Sequence, residues 1–599
     1  MEKFQFSHLV FSQAKKYGDK TALYHRDHFN DEWSKISWTG VANQVTALAK
    51  AFVELGVVEH QRVAQFSQNK AENLIVDFAL YANRATMVPM YATSTAPQVE
   101  YIINDAEIEI IFVGDQQQYN IALEVLANTS FLKKIIAFDK RIVFAKGEHS
   151  MYYADLLAIG EKSTKHFEVQ NRQHEAADTD LACILYTSGT TGNPKGVMIP
   201  HSCFNEAIRI HTLRLTSVTD KDTSLAFLPL SHVFERTWCY FCLFRGVSIY
   251  INQFPTEIQQ VIKEVRPTLM CAVPRFWEKV YAGVNENISK FSPFMKGIVT
   301  WALEIGHTYN IDYLRTGKNP GILLTSKYKM ADRLIFSKVK QTLGIENANM
   351  LPAAGARLSD DILIFFKSIG VPIIYGYGLT ETTATVACFQ YNGWQMGTVG
   401  TIMPDVEVRI GEDNEIQVKG KTVFPGYYNK PEANKAAFTE DGWFRTGDAG
   451  LLKGNDIVMT ERLKDLFKTS NGKYIAPQEI ETRLELDKHI EQVATIGDER
   501  NYVTAIIAPS IPALEEYARK HKITYENVDE LLKKPEIYQL IESRIIELQK
   551  GMASYEIIKR FCLIKKGFSI ESGELTNTLK MRRVVIMQKY KSLIDEMYS

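Results

Sequence analysis

The period of apolar and polar positions changes along the 599 residues, and each change predicts a different element. Residues 72–82 place apolar side chains at helical spacing, and residues 86–90 form a short strand pattern. A helical pattern at 97–104 precedes isoleucine-rich strand patterns at 107–113 and 134–138. Strands alternating with helices imply parallel sheets covered on both faces, with ligands gathering at the carboxyl ends of strands. Residues 283–335 differ: helical patterns at 298–305 and 327–339 flank a Gly/Pro-bearing break at 317–321, which reads as a helical insertion. Its Phe291, Phe294 and Trp301 suit packing on the main domain or contact with a membrane or lipid. Beyond about residue 399, Val406, Val408 and Ile410 alternate with polar residues, turn at 411–414, and meet Ile416 and Val418 in an antiparallel hairpin. A charged stretch, 461–465, follows a strand pattern at 456–459 and predicts a domain junction. Pro477 then opens a helix, and strand patterns at 493–496 and 503–508 predict a compact α+β unit.

A chain of this length exceeds what one core supports, so several packed units are expected. Net charge is −1, which supplies no global field for nucleic acid or an anionic membrane. The N-terminus lacks the apolar core of a secretory leader, and no apolar run approaches a bilayer span. A cytoplasmic enzyme is expected, with peripheral attachment at the inner membrane face left open. Seven scattered cysteines do not make a disulfide framework. Cys239 and Cys242 form a C-x-x-C pair, but among Trp, Tyr, Phe and Leu they read as buried thiols.

Five segments carry candidate chemistry. The apolar run 181–185 leads into Thr187, Ser188, Gly189, Thr190, Thr191 and Gly192, with Lys195 close behind. Glycines let backbone N–H groups approach phosphate, hydroxyls donate to it and a lysine neutralises it. The spacing is not that of a Walker A loop. A second apolar run, 371–374, delivers Tyr377, Gly378, Thr380 and Glu381: an aromatic to stack on a purine, a hydroxyl for the α-phosphate, and a carboxylate for Mg²⁺. Asp448, after a glycine, suits ribose hydroxyls, and Arg462 at the junction suits ribose or phosphate. Lys580, in a polar turn before the last helix, is placed to neutralise a developing oxyanion.

Taken in order, these five motifs resemble the acyl-adenylate-forming superfamily of AMP-forming acyl-CoA synthetases, luciferases and peptide-synthetase adenylation domains. The resemblance spans roughly residue 20 to the C-terminus. It implies an α/β fold: a large N-terminal domain (1–463) of two α/β subdomains plus a distorted β-barrel, and a small α+β C-terminal lid (464–599). It further implies a two-step reaction in which a carboxylate attacks MgATP to give acyl-AMP and pyrophosphate, and CoA then displaces AMP. By the same resemblance Thr187 to Lys195 hold phosphate, and Gly355, Ala356 and Arg357 line the adenine and acyl pocket. Tyr377, Thr380 and Glu381 take adenine, phosphate and Mg²⁺, and Asp448 and Arg462 take ribose. Lys464 is the hinge, Lys580 assists adenylation and Lys468 assists thioester formation.

The segment Leu228 to Arg236 contains His-Val-Phe-Glu-Arg and resembles long-chain fatty acyl-CoA synthetases, where a histidine equivalent to His232 sits at the mouth of the acyl site. Arg236 stands where some bacterial long-chain enzymes carry a gating tryptophan, and Trp238 is off register. The reading is a long-chain fatty acid:CoA ligase using Mg²⁺, ATP and CoA. The alternatives are a fatty acyl-AMP ligase serving a carrier protein, a medium-chain or aryl acid:CoA ligase, and a non-catalytic acyl-nucleotide-binding regulator.

Overall fold

The computed structural model describes residues 5–27, 32–147, 149–187, 193–462, 467–470, 474–576 and 580–599. The expected phosphate-loop residues Ser188, Gly189, Thr190, Thr191 and Gly192, and the expected hinge Lys464, lie outside the described residues.

A seven-stranded sheet organises the first unit. Its order is Ser150–Tyr152, Lys134–Ala137, Ile110–Val113, Arg62–Phe66, Thr86–Met90, Leu181–Thr187 and Lys195–Pro200. All neighbours are parallel except the last pair. Alternate residues of each strand feed two cores. Ile110 and Phe112 face one, Ile111 and Val113 the other, as the two-residue strand period requires when both faces are covered. The expected strand at 107–113 is shorter than its apolar pattern, because Glu107 turns at φ 51° before the ladder begins. The expected helix at 72–82 is observed as Ala71–Tyr81, and that at 97–104 as Ala96–Asp105.

A second parallel set contains Thr21–Asp27, Ser248–Ile251 and Thr223–Ala226. Bridges from Ser224 to Leu269 and from Ala272 to Ala353 carry it on to Leu351–Ala353 and Ile373–Tyr377. There it joins an eight-stranded, largely antiparallel sheet that includes the hairpin Glu407–Ile410/Glu415–Lys419 and the pair Phe444–Lys453/Asp456–Arg462. The carboxyl ends of these parallel strands point their following loops (227–232, 354–359 and 378–382) toward one cleft.

Helices Pro274–Ser289, Pro293–His307, Gly321–Ala331 and Ser337–Leu343 form the helical stretch, with π-helical turns at Thr308–Tyr313 and Asp332–Phe336. The pattern at 327–339 is therefore helix, π turn and helix in succession. Tyr309 stacks on Tyr328 at 4.1 Å, and Phe336 packs against Gly306, so the stretch folds back on itself. Trp301 packs against the main core, whereas Phe294 is 78% exposed.

The C-terminal unit has a three-stranded sheet (Ile490–Ile496, Val503–Pro509, Ile558–Leu563) with two apolar clusters of its own. Pro477–Leu484 begins with proline at its first helical position, where no N–H is needed.

Candidate active site

The strand Ile373–Tyr377 delivers Tyr377, and the chain then turns at once. A Cβ on Gly378 would lie 1.3 Å from the Ala384 carbonyl oxygen, so only glycine fits. The turn Thr380–Thr382 presents Thr380 and Glu381. Tyr427 Oη donates to Glu381 Oε1 at 2.9 Å, and Lys195 Nζ sits 5.0 Å from the centre of the same ring. Tyr427 thus links the two charged groups, a role that its sequence neighbours gave no sign of. Burial lifts the Glu381 carboxyl above its ordinary range. Lys195 opens the return strand Lys195–Pro200, opposite Thr187 in register.

Asp448 is held on two sides. Tyr377 Oη donates to its Oδ2 at 2.7 Å, and Arg462 Nε donates to its Oδ1 at 3.1 Å. Asp448 and Arg462 are cross-strand partners, which explains why residues 14 apart meet. Gly355, at φ 97°, takes a left-handed conformation in the neighbouring loop. Tyr375 Oη pins that loop by donating to the Ala356 carbonyl at 3.1 Å and accepting from Leu358 N–H at 3.2 Å. Arg357 reaches across to Glu479 of the C-terminal unit at 3.1 Å.

His232 caps the helix Val233–Arg245. Its Nδ1 accepts from Phe234 N–H at 3.2 Å, which places the neutral ring's proton on Nε2. Burial, with the Lys580 charge nearby, pushes its pKa down to about 4. Three side chains hold the preceding loop. Asn69 donates to the Leu228 carbonyl and accepts from Leu230 N–H. Arg236 Nε donates to the Leu230 carbonyl at 2.8 Å, and Glu235 accepts from Leu228 N–H at 3.1 Å.

Arg236 is fully buried and ion-paired to Asp77, with Tyr240 bonded to both. It therefore faces the neighbouring helix, while Val233, Thr237, Trp238 and Phe241 line the cleft at helical spacing. Trp238 Nε1 donates to Ser224 Oγ at 3.1 Å. Cys239 and Cys242 are buried, and burial raises both thiols far above the range of reactive cysteines.

One cleft of about 1310 Å³ is lined from the body by Lys195, His232, Tyr377 and Asp448 and from the C-terminal unit by Lys580. The turn bearing Lys580 is closed by Thr576 N–H to the Lys580 carbonyl at 2.8 Å, and by Lys580 N–H to Thr576 Oγ1 at 3.0 Å. Lys468 pairs with Tyr474 in a short ribbon, and its side chain lies outside what is described. Among the described residues no group of three or more His, Cys, Asp or Glu could cage a metal.

Residues 10–428 match the AMP-binding enzyme model, and residues 464–599 match the AMP-binding enzyme C-terminal domain. The chain belongs to the AMP-binding enzyme family. It is 30% identical to the long-chain-fatty-acid–CoA ligase FadD15 of Mycobacterium bovis over 95% of this chain and 93% of that protein. To human long-chain-fatty-acid–CoA ligase 1 it is 29% identical, over 95% and 82%. Among solved structures, the adenylation domain of a Mycobacterium chelonae carboxylate reductase superposes with a TM-score of 0.79 at 21% identity, covering 100% of this chain and 92% of that one. An anthranilate CoA ligase, AuaEII, in complex with anthranoyl-AMP superposes at 0.73 with 17% identity, covering 99% and 98%. The AMP-binding fold, a large α/β N-terminal domain with a smaller C-terminal one, is thus the fold of this chain.

Proposed function

We propose that the chain is a long-chain fatty acid:CoA ligase that forms acyl-AMP and then acyl-CoA. The observation that carries the reading is the convergence of Lys195, Thr380, Asp448, Arg462, His232 and Lys580 on one cleft, with Glu381 joined to its wall through Tyr427. Asp448 and Arg462 hold ribose, Tyr377 stacks on adenine, and Thr187, Ser188, Gly189, Thr190, Thr191 and Gly192 hold phosphate. Gly355, Ala356 and Arg357 form the wall between nucleotide and acyl chain, and Gly378 and Thr380 close on the α-phosphate. The apolar side of the cleft, from Val233 to Phe241, takes the acyl chain. The fatty carboxylate oxygen attacks the α-phosphorus as the bond to the β-phosphate oxygen breaks. Lys580 offsets charge on the pentacoordinate centre, and Lys195 stabilises the departing pyrophosphate.

Hard oxygen donors, Glu381 and Thr380, with no protein cage among the described residues, suit Mg²⁺ carried largely by phosphates. When bound there, Mg²⁺ would neutralise phosphate charge. His232, neutral at physiological pH, donates from Nε2 at the mouth of the acyl site without adding charge there. The body comprises 1–463 and the lid 464–599, with Lys464 as hinge and Lys468 serving the thioester step.

The test is release of AMP and pyrophosphate by the purified chain with MgATP, CoA and straight-chain acids from C8 to C18. Turnover should rise toward the long acids and require free CoA. A preference for acetate or aryl acids, or AMP release indifferent to CoA, would defeat it.

The fatty acid partner suggests a lipid surface as its source, and the helical stretch supports peripheral contact. No helix among the described residues is long and apolar enough to cross a membrane. On Gly321–Ala331 and the turn after it, Ile322 (89% exposed), Leu323 (72%), Met330 and Leu334 share a face with Lys327, Lys329 and Arg333. Co-sedimentation with anionic vesicles, lost in Ile322→Glu/Leu323→Glu, is the expected outcome. Equal binding by both forms would refute this surface.

A further inference from the structure

Arg275 is the second residue of the helix Pro274–Ser289 in the body, yet its guanidinium is spent on the C-terminal unit. Its Nη1 donates to Glu485 Oε2 at 2.9 Å, and its Nη2 donates to the Glu491 carbonyl at 2.6 Å. Glu278, on its own helix, adds a weaker contact at 3.4 Å. Glu485 is held in turn: Val493 N–H donates to its other oxygen at 3.2 Å. A planar fork gripping a carboxylate and a carbonyl on two adjoining elements fixes orientation as well as distance.

The gripped elements lead directly to Lys580. Glu485 caps the C-terminus of the helix Pro477–Leu484, and Glu491 lies in the strand Ile490–Ile496. One turn back on that helix, Glu481 takes both Nη groups of Arg583, at 2.8 and 2.6 Å. Thr495 of the strand closes the triangle, donating its N–H to Glu481 at 2.7 Å and accepting from Arg583 at 3.1 Å. Arg583 is three residues from Lys580. The helix is thus a rod with the body's Arg275 at one end and the lysine-bearing segment tied to its middle.

We propose that Arg275 is a positioning residue: its contacts with Glu485 and Glu491 latch the C-terminal unit in the orientation that brings Lys580 into the cleft that His232 lines. This rests on the reading that Lys580 serves adenylation. Because that reading gives Lys580 to adenylation and not to thioester formation, loss of the latch acts on one half-reaction. The contact is partly shielded from solvent, with Arg275 33% and Glu485 17% exposed at the side chain, so it is worth more than a fully exposed pair. The Arg357–Glu479 contact on the same rod is nearly half exposed on both sides and is the weaker of the two.

The test uses the full chain and times each half-reaction. Pyrophosphate release from fatty acid and MgATP without CoA reports adenylation, and acyl-CoA formation from supplied acyl-AMP reports thiolation. Burial raises the Glu485 carboxyl to about 7, so the assay is run at pH 8, where it carries its charge. There Arg275→Leu and Glu485→Gln should each slow pyrophosphate release by about tenfold, the range for a shielded charge pair. They should leave thiolation within about twofold and melting temperature near the parent's. The exchange Arg275→Glu/Glu485→Arg should recover part of the loss. Unchanged pyrophosphate release, parallel loss of both half-reactions, or an exchange slower than either single variant would overturn the latch. The underlying reading fails separately, and takes the latch with it, if the unaltered chain releases no pyrophosphate or if Lys580→Ala releases it at the parent rate.

Discussion

Glu235 is a carboxylic acid in a fully buried position, and burial raises its pKa to about 8. It lies between His232, which it helps to place through Leu228, and Arg236, which is occupied by Asp77. From its ordinary 4.5 up to about 8 the folded chain keeps a proton here that the unfolded chain has lost, so stability falls as pH rises through that window. His201, His211 and His232 do the reverse. Burial depresses each to about 4, the unfolded chain binds more protons between 4 and 6.5, and stability is lost as pH falls through that range. Glu235→Gln should therefore gain melting temperature relative to the parent as pH goes from 6 to 9, with little gain below pH 5. A constant offset across the range would contradict a protonated Glu235. In the sequence His232, Glu235 and Arg236 fall in one short segment, His-Val-Phe-Glu-Arg. Its chemistry is visible there, but which members face the cleft is not, because the helix register only becomes meaningful once a neighbour covers one side.

That neighbour is the helix Ala71–Tyr81, and the contact between the two helices depends on a charge. Arg236 and Asp77 are both fully enclosed, with Tyr81 and Tyr240 completing the network. Removing one partner strands the other charge in a dry core. Arg236→Met should cost about 3–5 kcal/mol in denaturant unfolding, and Arg236→Met/Asp77→Leu should recover much of it. A double variant less stable than the single would show that the pair supports more than itself. Elements of this kind were legible where their apolar period was clear, as in 72–82 or the hairpin at 406–418, observed as Glu407–Ile410/Glu415–Lys419. They were less legible where backbone geometry intervened. The π turn Asp332–Phe336 leaves no mark in an apolar pattern, and the strand at 107–113 is cut short by one left-handed residue.

At the scale of the whole molecule, the cleft is shared between two units, and Lys580 reaches it from the second. With thiolation measured separately, Lys580→Ala should reduce adenylation by about 100-fold or more, the range for a positioned electrostatic stabiliser, while acyl-CoA formation from supplied acyl-AMP persists. Equal damage to both steps would mean that the lysine supports the fold instead. The paired orientation also shows why some candidates read so differently from sequence. Arg357 looked like pocket lining and is also an inter-unit contact, whereas Tyr427 and Asn69 looked like nothing in particular and hold Glu381 and the His232 loop.

What the sequence alone determined was chemical inventory and order: which loops carry glycine, hydroxyl, carboxylate and lysine, and that strands precede them. Those properties are local, set by a few adjacent residues and the elements they end. Which side chains meet was decided only by tertiary structure. Asp448 finds Tyr377 and Arg462, Tyr427 finds Glu381, and Arg275 finds Glu485 because sheet register and packing bring distant backbone within a few ångströms. Hydrogen bonds and ion pairs act only over that distance.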